Sequence, residues 1–256
     1  MSSQISKDDI IGLSDKLPTP STLDTHRTLC SSYIHSSHKL CMLVTSILSS
    51  RLSLTTPIRE SGGLSALHKL NSNSGDQIRF VKAPPQDVDS KAVALGEHTD
   101  FGSVTVLFNR LGGLQVRLPA HIAPDPPSSS STSDTETGFC KDGWTYVRPL
   151  PGHAIINLGD ALVKFSSGKL RSNIHRVVPS PGDQGKVTRY SLVYFCRPED
   201  DVVLKSLVEG SEDREMEEEV TAKEWILRRA LGRRKEGGWE KSGGTEEMSL
   251  RGGVKG

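Results

Sequence analysis

The chain has 256 residues, 34% of them hydrophobic, and a formal net charge of +1. Such a length suits one large domain or two small ones with an adequate but lean core. The balanced charge, with no face-sized excess of Lys and Arg ahead of residue 228, argues against nucleic-acid binding, and no apolar run approaches the roughly 20 residues needed to span a bilayer.

In chain order, the opening MSSQISKDDI holds no apolar segment of the signal-peptide kind, so a soluble cytoplasmic protein is expected. Between Asp24 and Leu52 the apolar positions Leu29, Tyr33, Leu40, Val44 and Ile47 recur at helical spacing and predict a helix with one buried stripe. From Ile78 onward the texture changes to short β-rich runs: IRFV, KAVAL, SVTVLF, LQVRL, WTYVRPL, HAIINL, NIHRVV and RYSLVYF. Without long intervening helices, these runs predict a mainly β fold with flanking helices, a sandwich or jelly roll. Residues 119–138 are too polar and proline-rich to bury anything and are expected to form a mobile insertion. Thr221 and Glu224 stand in capping-box spacing at the head of TAKEWILRRAL, with Trp225, Ile226, Leu227 and Leu231 as the expected apolar face and a disordered tail beyond. The acidic run 212–219 and the basic run 228–235 read as a solvated helix and tail rather than a partner surface. Cys30, Cys41, Cys140 and Cys196 lack CxxC spacing and read as free thiols. The expected division is a helical flank at 1–75, a β domain at 76–204, and a helix with tail at 205–256.

Chemistry enters at GEHTDFGSVTVLF, where His98 and Asp100 stand two residues apart and would share one face of a strand. An HxD pair alone is weak, since chance or an ordinary hydrogen bond explains most such pairs. A second imidazole would complete two histidines and one carboxylate, the facial set of non-haem iron(II) sites. His26, His35, His38 and His68 belong to the helical front, His121 to the insertion and His153 to a Pro-Gly turn, which leaves His175 in NIHRVV. Arg189 and Ser191 follow in RYSLVYF, again at i,i+2 on an apolar strand. An arginine facing inward must find an anion, and its planar fork suits a carboxylate.

In GEHTDFGSVTVLFNRLGGLQV, PGHAIINLGDALVKFSSGKLRSNIHRVV and RYSLVYFCRPE, taken in that order, the chain resembles the isopenicillin-N-synthase-like branch of the 2-oxoglutarate- and Fe(II)-dependent oxygenases, in a fungal style. The resemblance is close over 76–204 and looser in the flanks. It implies a double-stranded β-helix in which His98, Asp100 and His175 bind Fe(II), and Arg189 with Ser191 binds the distal carboxylate of 2-oxoglutarate. It implies dioxygen as co-substrate and oxidation of a small organic molecule by hydroxylation, desaturation or ring formation, in specialised metabolism. No membrane and no obligate protein partner are expected. Two alternatives stay open: an iron oxidase of the same fold that does not use 2-oxoglutarate, and a catalytically weak binding or regulatory protein. A zinc hydrolase lacks the HExxH helix and gives Arg189 no task.

Among the other motif residues, Asn157, Gly159 and Asp160 in INLGD read as turn-shaping. Arg176 reads as a structural ion pair or support on the opposite face from His175, Phe195 as a pocket wall, and Phe101 as either core or pocket. Two departures from the resemblance stand out. Ala83 in RFVKAPP occupies the place of a tyrosine that helps hold the co-substrate, a loss of about 1.5–3 kcal/mol for a hydrogen bond to a charged group. The front of the chain is also expected to be short relative to the family.

Overall fold

Short runs of β-branched residues pair readily once turns return the chain on itself. In the computed structural model, which describes residues 2–85, 95–119, 143–211 and 219–236, the strands are β1 (Ser2–Ser6), β2 (Gln77–Ala83), β3 (Leu95–His98), β4 (Val104–Asn109), β5 (Leu114–Arg117), β6 (Trp144–Tyr146), β7 (Ile155–Leu158), β8 (His175–Val177) and β9 (Arg189–Cys196). They form two antiparallel sheets, ordered β1-β2-β9-β4-β7 and β3-β8-β5-β6. Helices α1 (Lys7–Ile11), α2 (Ser21–Asp24), α3 (Arg27–Ser49), α4 (Thr56–Glu60), α5 (Asp160–Phe165) and α6 (Ala222–Glu236) flank them. This is the expected jelly roll with helical flanks. No helix among the described residues is long and apolar enough to cross a membrane.

The central strand β9 divides the molecule, because successive side chains point to opposite faces. On one face Tyr194 and Cys196 lie beside Ile78, Val104 and Val106, all at most 1% exposed. That face packs on Cys30, Ile34 and Cys41 of α3 and is the core. The other face carries Arg189, Ser191, Val193 and Phe195. Register places Ala83 opposite Arg189 and Arg79 opposite Val193 on β2, and Asn109 opposite Ser191 and Thr105 opposite Phe195 on β4. Asn157 of β7 lies opposite Thr105. Arg79, Arg189, Ser191, Thr105, Asn109 and Asn157 are therefore gathered on the side away from α3, while Lys82 and Tyr190 pair on the other face at the strand ends.

Several expectations change. The α3 stripe is centred one position further on: Cys30, Ile34, Ser37, His38, Cys41 and Thr45 are buried, the expected Tyr33, Leu40 and Val44 are half-buried and pack on the core, and Leu29 and Ile47 are 66% and 54% exposed. Small residues let the helix axis approach the sheet closely, a packing consideration that apolar periodicity does not register. Ser2–Ser6, expected as part of a helical flank, is a strand paired with β2; with Ile5 as its one buried residue it offers no alternating pattern to read. The apolar face expected on α6 loses Leu227, 53% exposed, and gains Ala222 and Arg229, 1% and 2% exposed. The helix continues past Leu231 to Glu236. The insertion from 120 onward, Cys140, most of KAVAL and the tail beyond 236 lie outside the described residues. Cys30, Cys41 and Cys196 are free thiols, as expected.

The capping box forms: the Glu224 backbone donates to Thr221 Oγ1 at 3.2 Å, and the Thr221 backbone donates to Glu224 Oε2 at 3.0 Å. One turn further on, Arg229 Nη2 meets Asp160 Oδ2 at 2.9 Å, and the Thr99 hydroxyl donates to the same oxygen at 2.9 Å. Asp160 and Arg229 are essentially excluded from water. Removing one partner strands a buried charge, at a cost of about 3–5 kcal/mol. Arg229→Met is therefore expected to lower unfolding free energy in urea by about that amount, and adding Asp160→Asn to recover most of it; a double variant no better than the single would show that the pair is not the source of the loss.

Candidate metal centre

The two candidate imidazoles meet because β3 pairs with β8 and the register sets His98 directly opposite His175. Their ring centroids are 4.2 Å apart at 51°. Asp100 follows just past the end of β3, and the three residues offer ligand atoms that all lie within 4.8 Å of one another. His175 Nε2 and Asp100 Oδ1 are 3.9 Å apart. Atoms bonded at about 2.1 Å to one ion stand about 3 to 4.2 Å from each other, so closing on an ion needs only a slight contraction.

Hydrogen bonds decide which atoms face the centre. His98 Nδ1 lies 2.8 Å from the carbonyl oxygen of Gly96, and His175 Nδ1 lies 3.1 Å from that of Asn173. A carbonyl only accepts, so both Nδ1 atoms must carry the proton and both Nε2 atoms present lone pairs. Asp100 Oδ2 accepts from the Thr105 hydroxyl at 2.7 Å and from Asn157 Nδ2 at 2.8 Å, which leaves Oδ1 turned to the histidines. Burial pushes the Asp100 carboxyl up, but positive charge on the facing His175 and His98 rings in their protonated form, with the Thr105 and Asn157 hydrogen bonds, outweighs it, and the net displacement is downward; with the rings neutral, a cation between them would exert the same pull. The acid therefore stands ionised across the neutral pH range. Two neutral imidazoles and one carboxylate fit a divalent first-row metal.

The loop between the ligands is held from behind. Gly159, Asp160 and Ala161 donate backbone N–H groups to the carbonyls of Ser103, Asp100 and Gly102 at 2.9, 2.9 and 3.0 Å. That contact requires glycine, since a Cβ on Gly159 would stand 2.2 Å from the Gly102 carbonyl oxygen. Thr99, between His98 and Asp100, points the other way, to Asp160 and Arg229. INLGD is not the expected turn: Asn157 lies within β7, Gly159 alone links it to α5, and Asp160 opens that helix in a buried pair with Arg229. Asn157 orients the candidate ligand Asp100, a role not foreseen for it or for Thr105. The signal was present: a threonine amid aliphatic residues in SVTVLF has to find a polar partner.

Arg189 and Ser191 stand together on the inner face of β9. Arg189 is 7% exposed, donates from Nε to the Gly112 carbonyl at 2.9 Å and from Nη1 to the Ser191 hydroxyl. No carboxylate pairs with it among the described residues, and burial pushes its pKa down. It borders a shallow depression together with Ala83, Val177 and Ser180. Val177 shares the face of His175 at i+2, so the wall of the depression and one candidate ligand stand on the same short strand. Arg176 lies on the opposite face, bonded to Gln115, near Glu97 and over Trp144, and is structural as expected. The Phe101 ring lies under Arg229 and its carbonyl accepts from Trp225 Nε1 at 3.1 Å, which ties it to α6. Of the remaining described histidines, His38 is buried with its ring on the His68 carbonyl, His68 is buried with its ring between the Leu64 carbonyl and the Ser103 hydroxyl, and His26, His35 and His153 bond nearby carbonyls at the surface. His121 lies outside the described residues.

Outer-sphere partners of metal ligands typically govern affinity by 10- to 100-fold, on the order of magnitude seen across metal sites. Asn157→Leu and Thr105→Val are each expected to weaken anaerobic Co(II) or Fe(II) binding by about that factor, with little change in thermal stability, as read by calorimetric titration. Unchanged affinity in both would mean that Asp100 is not the carboxylate facing the ion.

The profile of the 2OG-Fe(II) oxygenase superfamily matches residues 74–198. A 2-oxoglutarate-dependent dioxygenase of Aspergillus fumigatus is 32% identical over 206 residues, covering 78% of this chain and 50% of its own length. Another, from Amanita muscaria, is 31% identical over 180 residues, covering 70% of this chain and 76% of its own. The chain spans about half the length of most of these curated relatives. Among solved structures, the dioxygenase for auxin oxidation in rice superposes with a TM-score of 0.64 at 20% identity, over 97% of this chain and 71% of that one. With the jelly roll, the matched motifs and a relative covered over three quarters of its length, the chain belongs to the 2OG-Fe(II) oxygenase superfamily.

Proposed function

We propose that the protein is an Fe(II)- and 2-oxoglutarate-dependent dioxygenase that oxidises a small organic molecule, with His98, Asp100 and His175 as iron ligands and Arg189 with Ser191 as the seat of the co-substrate's distal carboxylate. The observation that carries this reading is the pair of fixed tautomers: both Nε2 lone pairs and the free Asp100 oxygen converge on one point. A facial set leaves open positions for exchangeable ligands. Bound there, Fe(II) with 2-oxoglutarate supplies activation of dioxygen, coupled to decarboxylation of the co-substrate to succinate.

The protein's own part is positional. Thr105 and Asn157 keep Asp100 to one oxygen toward the ion, which preserves the open positions. Gly112 and Ser191 hold the Arg189 fork, which meets no carboxylate among the described residues, ready for an entering anion. With Arg189 lining a depression whose wall shares a strand with His175, one dicarboxylate can meet both. The fungal relatives carry the name 2-oxoglutarate-dependent dioxygenase, which supports a place in specialised metabolism. The buried free thiols suit a reducing, cytoplasmic setting.

His98→Ala and Asp100→Ala are each expected to abolish stoichiometric iron binding; retention of iron by both would move the site elsewhere. Arg189→Ala is expected to raise the 2-oxoglutarate concentration needed for succinate formation about a hundredfold, against about tenfold or less for Ser191→Ala, because it removes a charge-assisted fork rather than one neutral group. Equal effects would make Arg189 structural. Ala83 faces Arg189 across the β2–β9 ladder, so Ala83→Tyr is expected to tighten 2-oxoglutarate by about tenfold or more through a restored phenolic hydrogen bond. Weaker co-substrate binding in that variant would show that the depression is already filled by other groups.

A further inference from the structure

The inner face of the large sheet carries two more arginines than iron and 2-oxoglutarate require. Arg79 of β2 and Arg197, just past the end of β9, both place their guanidinium over the Phe195 ring, at 5.1 and 5.5 Å from its centroid. Arg197 is 8% exposed, and its Nε has no hydrogen-bond partner. Arg79 has one long bond, 3.4 Å from Nη2 to Gln4 Oε1. Neither has a carboxylate within ion-pair distance among the described residues. Asp76 attracts Arg197, but its Oδ1 accepts from the Arg197 backbone N–H and its Oδ2 from the Tyr194 hydroxyl.

The pair sits against the metal loop. A Cβ on Gly102, two residues beyond Asp100, would stand 2.6 Å from Arg197 Cγ, so only glycine there lets the arginine pass beneath the loop. Burial pushes the Arg197 pKa down and Arg79 adds to this, against the pull of Asp76 and Asp100; Arg79 is likewise pushed down by burial and attracted by Asp100. Two like charges held together on one ring, Arg197 buried and Arg79 half-buried, repel each other until an anion joins them. Asp76 is committed to the Arg197 backbone and Tyr194, and Asp100 to Thr105 and Asn157, so neither closes on a guanidinium and an entering carboxylate would be the first to do so. Planar forks select a carboxylate among monoanions.

We propose that Arg79 and Arg197 form a second anion clasp, separate from Arg189, that takes the carboxylate of the organic substrate beside the metal loop, so that the substrates are small monocarboxylic acids. The word substrate rests on the dioxygenase reading above; the clasp rests on the side-chain arrangement.

The test uses the whole chain, stripped of metal with EDTA, titrated with benzoate against benzamide and with cyclohexanecarboxylate against its amide, by calorimetry and thermal shift. The acids are expected to bind on the order of tenfold more tightly than their amides. Arg79→Met and Arg197→Met should each erase that preference, whereas Arg189→Ala should keep it. Without ligand, both methionine variants should melt close to or above the parent, since each relieves the repulsion between the two guanidinium groups. Acid and amide bound alike by the parent, including no binding of either, a preference that survives both methionine substitutions, or one lost with Arg189 instead, overturns the clasp. A large drop in melting temperature in both methionine variants overturns it too, by showing that the arginines are structurally paired. A failure of the dioxygenase reading registers separately, as absent succinate formation by the iron-loaded protein.

Discussion

A strand at the centre of a sheet must commit every side chain to one face or the other, and the commitment made by β9 sorts the whole protein. Tyr194 and Cys196 join Ile78 and Val106 under α3, where water is excluded and burial stabilises the fold. Arg189, Ser191 and Phe195 face the other sheet, and the residues opposite them on β2 and β4, with Asn157 beyond, follow by register. A slip of one residue in either ladder would send the arginines into the apolar layer and the tyrosine into the site. The same pairing therefore sets both stability and chemistry.

Within the site, orientation comes from groups that never touch the ion. Two backbone carbonyls choose the histidine tautomers, two side chains fix which carboxylate oxygen is free, and the start of α5 clamps the loop by its carbonyls. Each is a modest hydrogen bond by itself. Their sum is a set of lone pairs held in one small region, and support of this kind keeps a metal site specific.

The fold class and the site core were legible because they rest on short-range periodicity. His98 with Asp100, and Arg189 with Ser191, sit two residues apart, and seven of the strand-like runs carry strands in the structure. What stayed hidden depends on distance in sequence. Asn157 reaches Asp100 across 57 positions and Arg229 reaches Asp160 across 69, and no local pattern announces either. The α3 stripe was misjudged for another reason: Cys30, Ser37, Cys41 and Thr45 are buried for being small, while apolar periodicity pointed to Leu29 and Ile47. β1 has the opposite difficulty, a strand defined by its partner rather than by its composition.

The order in which the strands occur along the chain has a consequence for synthesis. β9 is flanked in space by β2 and β4 yet follows all the other described strands in sequence, so a nascent chain carries its two neighbours long before the strand that joins them emerges. The bolt from Arg229 to Asp160 and Thr99 comes later still. Long-range pairing of this kind is slow and leaves strand edges open meanwhile. The histidines and the aspartate are thus all translated before the framework that aims them can close, so on the proposed iron reading metal loading is an event of the assembled β domain rather than of the emerging chain.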